Sequence, residues 1–86
     1  MKTILQFDLF RDGEDSFFTD PTCVFINGYF NWIMVDDFLT NIDYLRYIDE
    51  SLEVGQCSNV TVEIWEDCDD YRSWLDYRVV NMDEIV

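Results

Sequence analysis

Carboxylates are the reactive side chains that this sequence supplies in quantity, since 19 of its 86 residues are Asp or Glu and none is His. Without histidine, the commonest general base, proton shuttle and metal ligand is missing. Two carboxylates could act as the acid and base of a glycosidase, but at this density some pairs fall about 5 to 9 Å apart by chance. The acidic stretches also lack the alternating Asp/Asn pattern, central glycine and distal glutamate of an EF-hand. We therefore expect a protein that is not an enzyme and needs no cofactor or metal.

The sequence offers equally little to a phosphate-binding loop or a structural metal site. Neither GxxxxGK[ST] nor GxGxxG occurs, and the chain has three glycines. Cys23, Cys57 and Cys68 are too few and too unevenly spaced for a disulfide framework or a zinc site. We expect free thiols, with Cys23 buried, in a reducing cytoplasm. A bond between Cys57 and Cys68 is the competing possibility, because both flank the same predicted strand.

The composition is that of a folded domain with a large excess of negative charge. Hydrophobic residues make up 49% of the chain, aromatic residues 17%, and the net charge is −14, so we expect a single domain over residues 1–86. Such a charge repels nucleic acid and anionic membranes and attracts basic proteins. It exceeds the roughly 2 to 8 charges that suffice for solubility. No apolar stretch approaches the roughly 20 residues of a membrane span, and we expect no signal peptide and a cytoplasmic location.

Two acidic clusters that include a tyrosine are the candidate binding sites. The first, in a predicted turn, comprises Glu66, Asp67, Asp69, Asp70 and Tyr71. The second, along a predicted helix, comprises Asp36, Asp43, Tyr47 and Glu50. Carboxylates form paired hydrogen bonds with arginine, and aromatic rings stack on its guanidinium, so such surfaces suit an arginine-rich partner. We expect both clusters to contact the partner and the projecting turn to dominate.

The second cluster depends on one helix, predicted over residues 36–52. Its apolar residues recur at helical spacing and can face a core; they are Phe38, Ile42, Leu45, Ile48 and Leu52. The acids of the second cluster fall on the opposite side and would form a straight row with a spacing of roughly 10 Å. Asp36 or Asp37 is expected to cap the start of the helix, and Gly55 to follow its end near Glu53.

Alternating apolar and polar residues predict strands at residues 2–10 and 59–66. Asn27-Gly28, between two apolar β-prone runs, predicts a hairpin over residues 22–35, because both residues accept the positive φ of a type I′ turn. Residues 74–80 fit either a returning strand or a short helix. Their β-prone residues favour the strand, which would complete a second hairpin.

The segment at residues 11–21 contains acids, Gly13 and the single proline, and predicts a surface loop. Phe17 and Phe18 interrupt this loop and are expected to pack on the core as a lid, since adjacent aromatic residues rarely stay fully exposed.

Together the elements predict an α+β fold: an antiparallel sheet of about five strands, in the chain order β-β-β-α-β-β, with one helix packed on a face. The helix must cover the apolar face for either half of the sheet to be stable. The expected core comprises Leu5, Phe7, Leu9, Val24, Ile26, Ile33, Val35, Phe38, Ile42, Leu45, Ile48, Val62 and Ile64.

In its small size, strong acidity, aromatic richness and lack of catalytic apparatus, the chain resembles the phage-encoded DNA mimics that inhibit host restriction or CRISPR effectors. The resemblance implies a basic nucleic-acid-binding partner, such as a nuclease, whose basic channel this domain occupies in the host cytoplasm. It implies no direct contact with nucleic acid. Bacterial immunity proteins that plug a cognate nuclease toxin are similar in the same respects, and the sequence does not separate the two. A structural or assembly component, with acids that serve only solubility, is the third interpretation.

Overall fold

Four antiparallel strands form the sheet in the computed structural model, which describes residues 2–23 and 32–81. They are β1 (Lys2–Arg11), β2 (Phe17–Cys23), β3 (Cys57–Cys68) and β4 (Ser73–Val79). Their order across the sheet is β2-β1-β3-β4, so β1 and β3 are central. The predicted class, an antiparallel sheet combined with helix, is confirmed. The described residues contain four strands and two helices instead of about five strands and one helix.

The central strands β1 and β3 form where alternation predicted them. Leu5 lies opposite Val62 and Phe7 opposite Val60, and side chains of a strand alternate between its two faces. One face of this pair is therefore apolar and buried; its residues are Leu5, Phe7, Leu9, Val60, Val62 and Ile64. β4 confirms the preferred interpretation of residues 74–80, because it pairs with β3 as the returning arm of a hairpin.

Strand β2 begins inside the segment predicted to be a surface loop and takes up residues 17–21 of it. The turn between β1 and β2 is limited to residues 12–16, where the N–H of Asp12 donates to the carbonyl of Ser16 at 3.0 Å. β2 is an edge strand, which explains why it tolerates Pro21, a residue without the N–H that a central strand needs. Phe17 is buried in the core, as expected, whereas Phe18 is 57% exposed and the prediction for it is wrong.

The single helix predicted over residues 36–52 is two helices, α1 (Trp32–Thr40) and α2 (Ile42–Ile48). Asn41 separates them with an extended backbone, φ −92° and ψ 101°. Its side chain accepts a hydrogen bond from the N–H of Asp43 at 3.0 Å, which makes it the N-cap of α2. Asparagine is among the preferred N-cap residues, so the interruption had a sequence signal that the apolar periodicity concealed.

Both predicted ends of the helix are also wrong. Asp36 and Asp37 lie inside α1 and cap nothing. α2 ends at Ile48, with Asp49 as its C-cap. Gly55 belongs to the turn before β3, where its φ of +88° suits a residue without a Cβ. The N–H of Gly55 donates to the carbonyl of Arg11 at 2.8 Å and ties this turn to the end of β1.

Helix α1 starts within the segment that was predicted to be the second arm of a hairpin over residues 22–35. Its buried residues are Met34, Val35 and Phe38. Their spacing follows a helical turn instead of strand alternation, and the same geometry leaves Ile33 84% exposed. Asn27-Gly28, the predicted turn of that hairpin, lies outside the described residues.

An aromatic cluster joins both helices to the sheet. Phe38 of α1 is fully buried, and its ring stacks on Tyr44 of α2 with 5.3 Å between centroids. The Phe38 ring also meets Phe7 of β1 edge-on at 6.3 Å and Tyr77 of β4 at 5.6 Å. Offset and edge-to-face aromatic pairs add to the stabilisation that burial gives, so Phe38 links α1 to α2, β1 and β4.

Most of the expected core is confirmed. The predicted residues found buried are Leu5, Phe7, Leu9, Val35, Phe38, Leu45, Val62 and Ile64. Ile48 is partly buried against them, whereas Ile33 and Ile42, the latter 40% exposed, are wrong. Val24 and Ile26 lie outside the described residues. The core also contains Phe17, Met34, Leu52 and Val60, which the expected core omitted.

Cys57 and Cys68 are free and exposed. They are the first and last residues of the 12-residue strand β3, so their Cα atoms lie roughly 36 Å apart at about 3.3 Å per residue. A disulfide needs Cα atoms within about 7 Å. The alternative of a bond between them within one chain is therefore wrong.

Candidate functional site

The first acidic cluster lies at the end of the β3–β4 hairpin, where Cys68 is the one residue that interrupts it along the chain. Glu66 and Asp67 are strand residues, opposite Leu75 and Trp74 of β4, and the turn itself comprises residues 69–72. The prediction that Asp67 belongs to the turn is wrong, and Glu66, which was predicted both as the end of the strand over residues 59–66 and as part of the turn, lies in the strand. Neighbouring side chains in a strand point to opposite faces, so a strand can carry adjacent acids with less repulsion than a tight loop.

Asp69 builds the turn at the end of this hairpin. Its Oδ1 accepts hydrogen bonds from the N–H groups of Tyr71 at 2.8 Å and Arg72 at 2.9 Å. Its own N–H donates to the carbonyl of Arg72 at 2.9 Å. An aspartate that binds the backbone two residues ahead in this way substitutes for regular turn hydrogen bonds. Asp69 therefore has a structural role that its place in an acidic cluster did not indicate.

The tip of the hairpin is exposed and contains one cation. Tyr71 is 95% exposed, and Asp70 beside it is exposed as well. The Arg72 guanidinium lies 4.0 Å from the Asp69 carboxylate and 5.4 Å from the centre of the Trp74 ring. The hairpin thus already holds one arginine between a carboxylate and an aromatic ring, the two interactions inferred for a partner's arginine.

The second cluster does not form the regular row that was predicted. Asp36 lies in α1, Asp43 in the first turn of α2, and Glu50 in the turn after α2. The interruption at Asn41 removes the common axis on which a spacing of roughly 10 Å depended. All three carboxylates are exposed, and Tyr47 is 62% exposed. This cluster offers charge without a fixed spacing.

Tyr47 and Glu50 have neighbours that the sequence did not indicate. They line a cleft of about 220 Å³ beside the β1–β2 turn, together with Asp15 and Arg46. Arg46 donates to the Asp15 carboxylate at 3.0 Å across this cleft. That exposed ion pair joins α2 to the turn beside Tyr47 and Glu50, and it involves neither of these two side chains.

The arginines in the described part of the chain are occupied internally. Arg11 donates to three backbone carbonyls, those of Gly13, Glu14 and Leu52, at 3.2, 2.7 and 2.6 Å. The others form ion pairs: Arg46 with Asp15, Arg72 with Asp69 and Arg78 with Glu63. Apart from Glu63, whose side chain is 12% exposed, the carboxylates whose burial the structure describes are exposed or half-buried. Few cations therefore remain to neutralise them, and the surface potential stays strongly negative.

The structure adds Asp37 and Asp76 to the acidic surface beside the hairpin. Tyr44 donates to the carbonyl of Leu75 at 3.5 Å, and its pKa is raised by burial and by the charges of Asp37 and Asp76. Burial also raises the pKa of Tyr77, with Tyr47 and Tyr44 adding to the effect. Negative charges near a phenol favour its neutral form. Asp37 was not predicted as a site residue, because it was expected to cap the start of the helix, whereas it lies in the middle of α1.

Neither described helix has the length and apolar composition needed to cross a membrane. Within residues 2–23 and 32–81, no three His, Cys, Asp or Glu side chains are grouped so that they could hold a metal ion.

Comparisons of the chain with protein-family models, curated protein sequences and solved structures found no match. The function is therefore inferred from the chain's own charges and geometry.

Proposed function

We propose that this protein is an acidic inhibitor that binds the basic nucleic-acid-binding groove of a host defence protein. It acts as a DNA mimic of the anti-restriction or anti-CRISPR type, in the cytoplasm of the host cell. Its carboxylates take the place of phosphates, and no chemical step is needed. The observation that supports the proposal best is the exposed acidic end of the β3–β4 hairpin, which projects from a strand anchored in the core.

The hairpin meets the physical requirement for a phosphate substitute. Val62 and Ile64 of β3 are fully buried, and the same strand continues into the exposed residues Glu66 and Asp67. A rigid carrier loses less entropy on binding than a flexible acidic tail would. Because successive side chains point to opposite faces, Glu66 and Asp67 present carboxylates to both sides of the hairpin. This arrangement suits a groove with basic residues on both walls.

The net charge of −14 adds a long-range component to this recognition. Oppositely charged surfaces steer diffusional encounter and raise association rates at low salt. The rate at which the chain associates with its basic partner should therefore fall steeply as the salt concentration rises.

The test compares three baits in pull-downs from bacterial lysate, read by mass spectrometry. The first is the parent chain, and the second carries Asp67→Asn and Asp70→Asn at the hairpin end. The third carries Asp12→Asn and Glu14→Gln in the β1–β2 turn, which lies at the opposite end of the sheet. The two variants have the same net charge, so only position distinguishes them. Asp69 is left unchanged because it builds the turn.

We expect the parent and the β1–β2 turn variant to retain a basic nucleic-acid-binding protein that the hairpin variant loses. The purified partner should release labelled DNA when the parent chain is added. Removal of one carboxylate from a desolvated charge pair costs about 2–5 kcal/mol, so the hairpin variant should compete at least about 30-fold less well. Equal retention of the partner by all three baits would contradict the proposed site, and a partner that keeps its DNA would contradict the mimicry. A partner that proves to be a nuclease toxin would favour the immunity-protein alternative.

A further inference from the structure

A second acidic feature lies where α1 meets the end of the hairpin, and it is a cleft instead of a surface row. Its volume is about 250 Å³, and its lining combines two carboxylate residues, Asp37 and Glu66, with the apolar residues Ile33, Met34 and Leu75. Pockets for drug-sized molecules measure about 300–1,000 Å³, so this cleft has the size to take one long side chain. Ser73 and Trp74 complete the lining.

The lining fits the two parts of an arginine side chain. Arginine buries its aliphatic stem against apolar surface while its charged head seeks a polar partner. The planar guanidinium presents several donors and pairs with carboxylates through two hydrogen bonds at once. Asp37 comes from α1 and Glu66 from β3, so the cleft combines carboxylate residues of two elements with the buried Met34, the half-buried Leu75 and the exposed Ile33.

Two further observations support a cation as the occupant. Tyr44 donates to the carbonyl of Leu75, which lines this cleft, and its pKa is raised first by burial and then by the charges of Asp37 and Asp76, so these two carboxylates act on groups beside the cleft. In addition, Arg72 of the same hairpin lies against the Trp74 ring and within 4.0 Å of a carboxylate. The fold therefore already accommodates a guanidinium at the neighbouring position.

We propose that this cleft, formed by Ile33, Met34, Asp37, Glu66 and Leu75, receives an arginine side chain of the protein partner. The inference rests on the proposed function, since it supplies the specific contact through which the acidic hairpin is anchored in a basic groove. Steering by net charge does not discriminate between basic partners, whereas one inserted arginine fixes position and orientation. Lysine, a compact and strongly hydrated point charge, should be a poorer occupant.

The inference is tested without the natural partner, by NMR titration of the full ¹⁵N-labelled chain with N-acetyl-arginine methylamide or N-acetyl-lysine methylamide. With the arginine compound, we expect saturable shifts at the backbone amides of Asp37 and Glu66 and at the indole N–H of Trp74. The lysine compound should bind at least about fivefold more weakly. Asp37→Asn and Glu66→Gln should each weaken arginine binding by at least about fivefold, and Asp12→Asn with Glu14→Gln should leave it unchanged.

Equal shifts with both compounds, or shifts spread over all exposed carboxylates, would overturn the inference, since either result means a diffuse charge effect. So would an Asp37→Asn variant that binds the arginine compound as the parent does. The proposed function is tested separately from the cleft. If Asp37→Asn competes with DNA for the captured partner as well as the parent does, the proposal that the cleft receives the partner's arginine is refuted and the inhibitor function is retained. If the cleft binds arginine and no captured partner releases DNA, the inhibitor function is refuted and the arginine-binding cleft is retained.

Discussion

Replacement of Asp69 by alanine and by asparagine separates its structural role from its charge. The alanine variant loses the acceptor for two backbone N–H groups, at 2.8 and 2.9 Å, whereas asparagine keeps a side-chain oxygen in the same place. Both variants remove one negative charge from a chain with a net charge of −14. Any relief of repulsion is therefore common to both, and the difference between them reports the turn hydrogen bonds alone.

The magnitude follows from the bonds involved. Each hydrogen bond contributes a net value of about 0.5–1.5 kcal/mol, so Asp69→Ala should lower the free energy of unfolding by about 1–2 kcal/mol at this exposed turn. The ion pair with Arg72 is long, at 4.0 Å, and both side chains are well exposed, so its loss should cost less than about 0.5 kcal/mol. Asparagine and aspartate are equivalent acceptors in caps of this kind, and Asp69→Asn should stay close to the parent.

The assay is thermal unfolding followed by circular dichroism, with urea titration at 25 °C as a second measurement. In a domain of this size, 1 kcal/mol corresponds to about 4–8 °C. We therefore expect Tm to fall by roughly 4–16 °C in Asp69→Ala and by less than about 4 °C in Asp69→Asn. If both variants lose the same stability, charge and not the hydrogen bonds holds the turn, and the reasoning is refuted.

Three other predictions concern the core, the tyrosines and the thiols. Phe38→Ala should lower the free energy of unfolding by about 3–5 kcal/mol, measured by urea titration, because Phe38 is fully buried among aromatic rings. The raised pKa values of Tyr44 and Tyr77 mean that the folded state keeps protons that the unfolded state releases, so stability should fall as pH rises above about 10. Absorbance titration of the Tyr44→Phe and Tyr77→Phe variants should show the loss of late-titrating steps. Cys57 and Cys68 should both react with iodoacetamide in the native protein, and mass spectrometry without reductant should show no bond between them within one chain.

The strands could be predicted where local pattern and tertiary environment agree. In β1 and β3, one face packs on the core and the other carries mostly polar residues, so neighbours such as Phe7 and Asp8 differ sharply in burial and the alternation is visible in the sequence. β2 was missed because its sequence, with an aspartate and a proline, is that of a loop. Only its position at the sheet edge makes it a strand.

The helices show the limit of periodicity more clearly. Residues 32–35, an apolar run, fit a buried strand or a buried helix equally well, and tertiary packing decides between them. The sequence signal for the break at Asn41 is one N-cap residue, whose side chain accepts a single hydrogen bond. The helical pattern of apolar residues continues across Asn41 and predicts an unbroken helix. The predicted helix began at residue 36, whereas α1 begins at Trp32. This one error made the predictions for Ile33, Asp36 and Asp37 wrong together.

The break between α1 and α2 at Asn41 also decides which acidic cluster is the better binding site. The second cluster needed one straight helix to space its carboxylates, and α2 has only seven residues. The hairpin end needs no helix, because its position follows from β3, a strand whose buried residues Val62 and Ile64 fix the register of the sheet. The start of α1 then places Asp37, which the sequence had assigned only to a helix cap, in the same cleft as Glu66 of the first cluster. The interruption that removed the predicted row of acids thus leaves the hairpin and its neighbouring cleft as the part of the surface where charge and rigidity coincide.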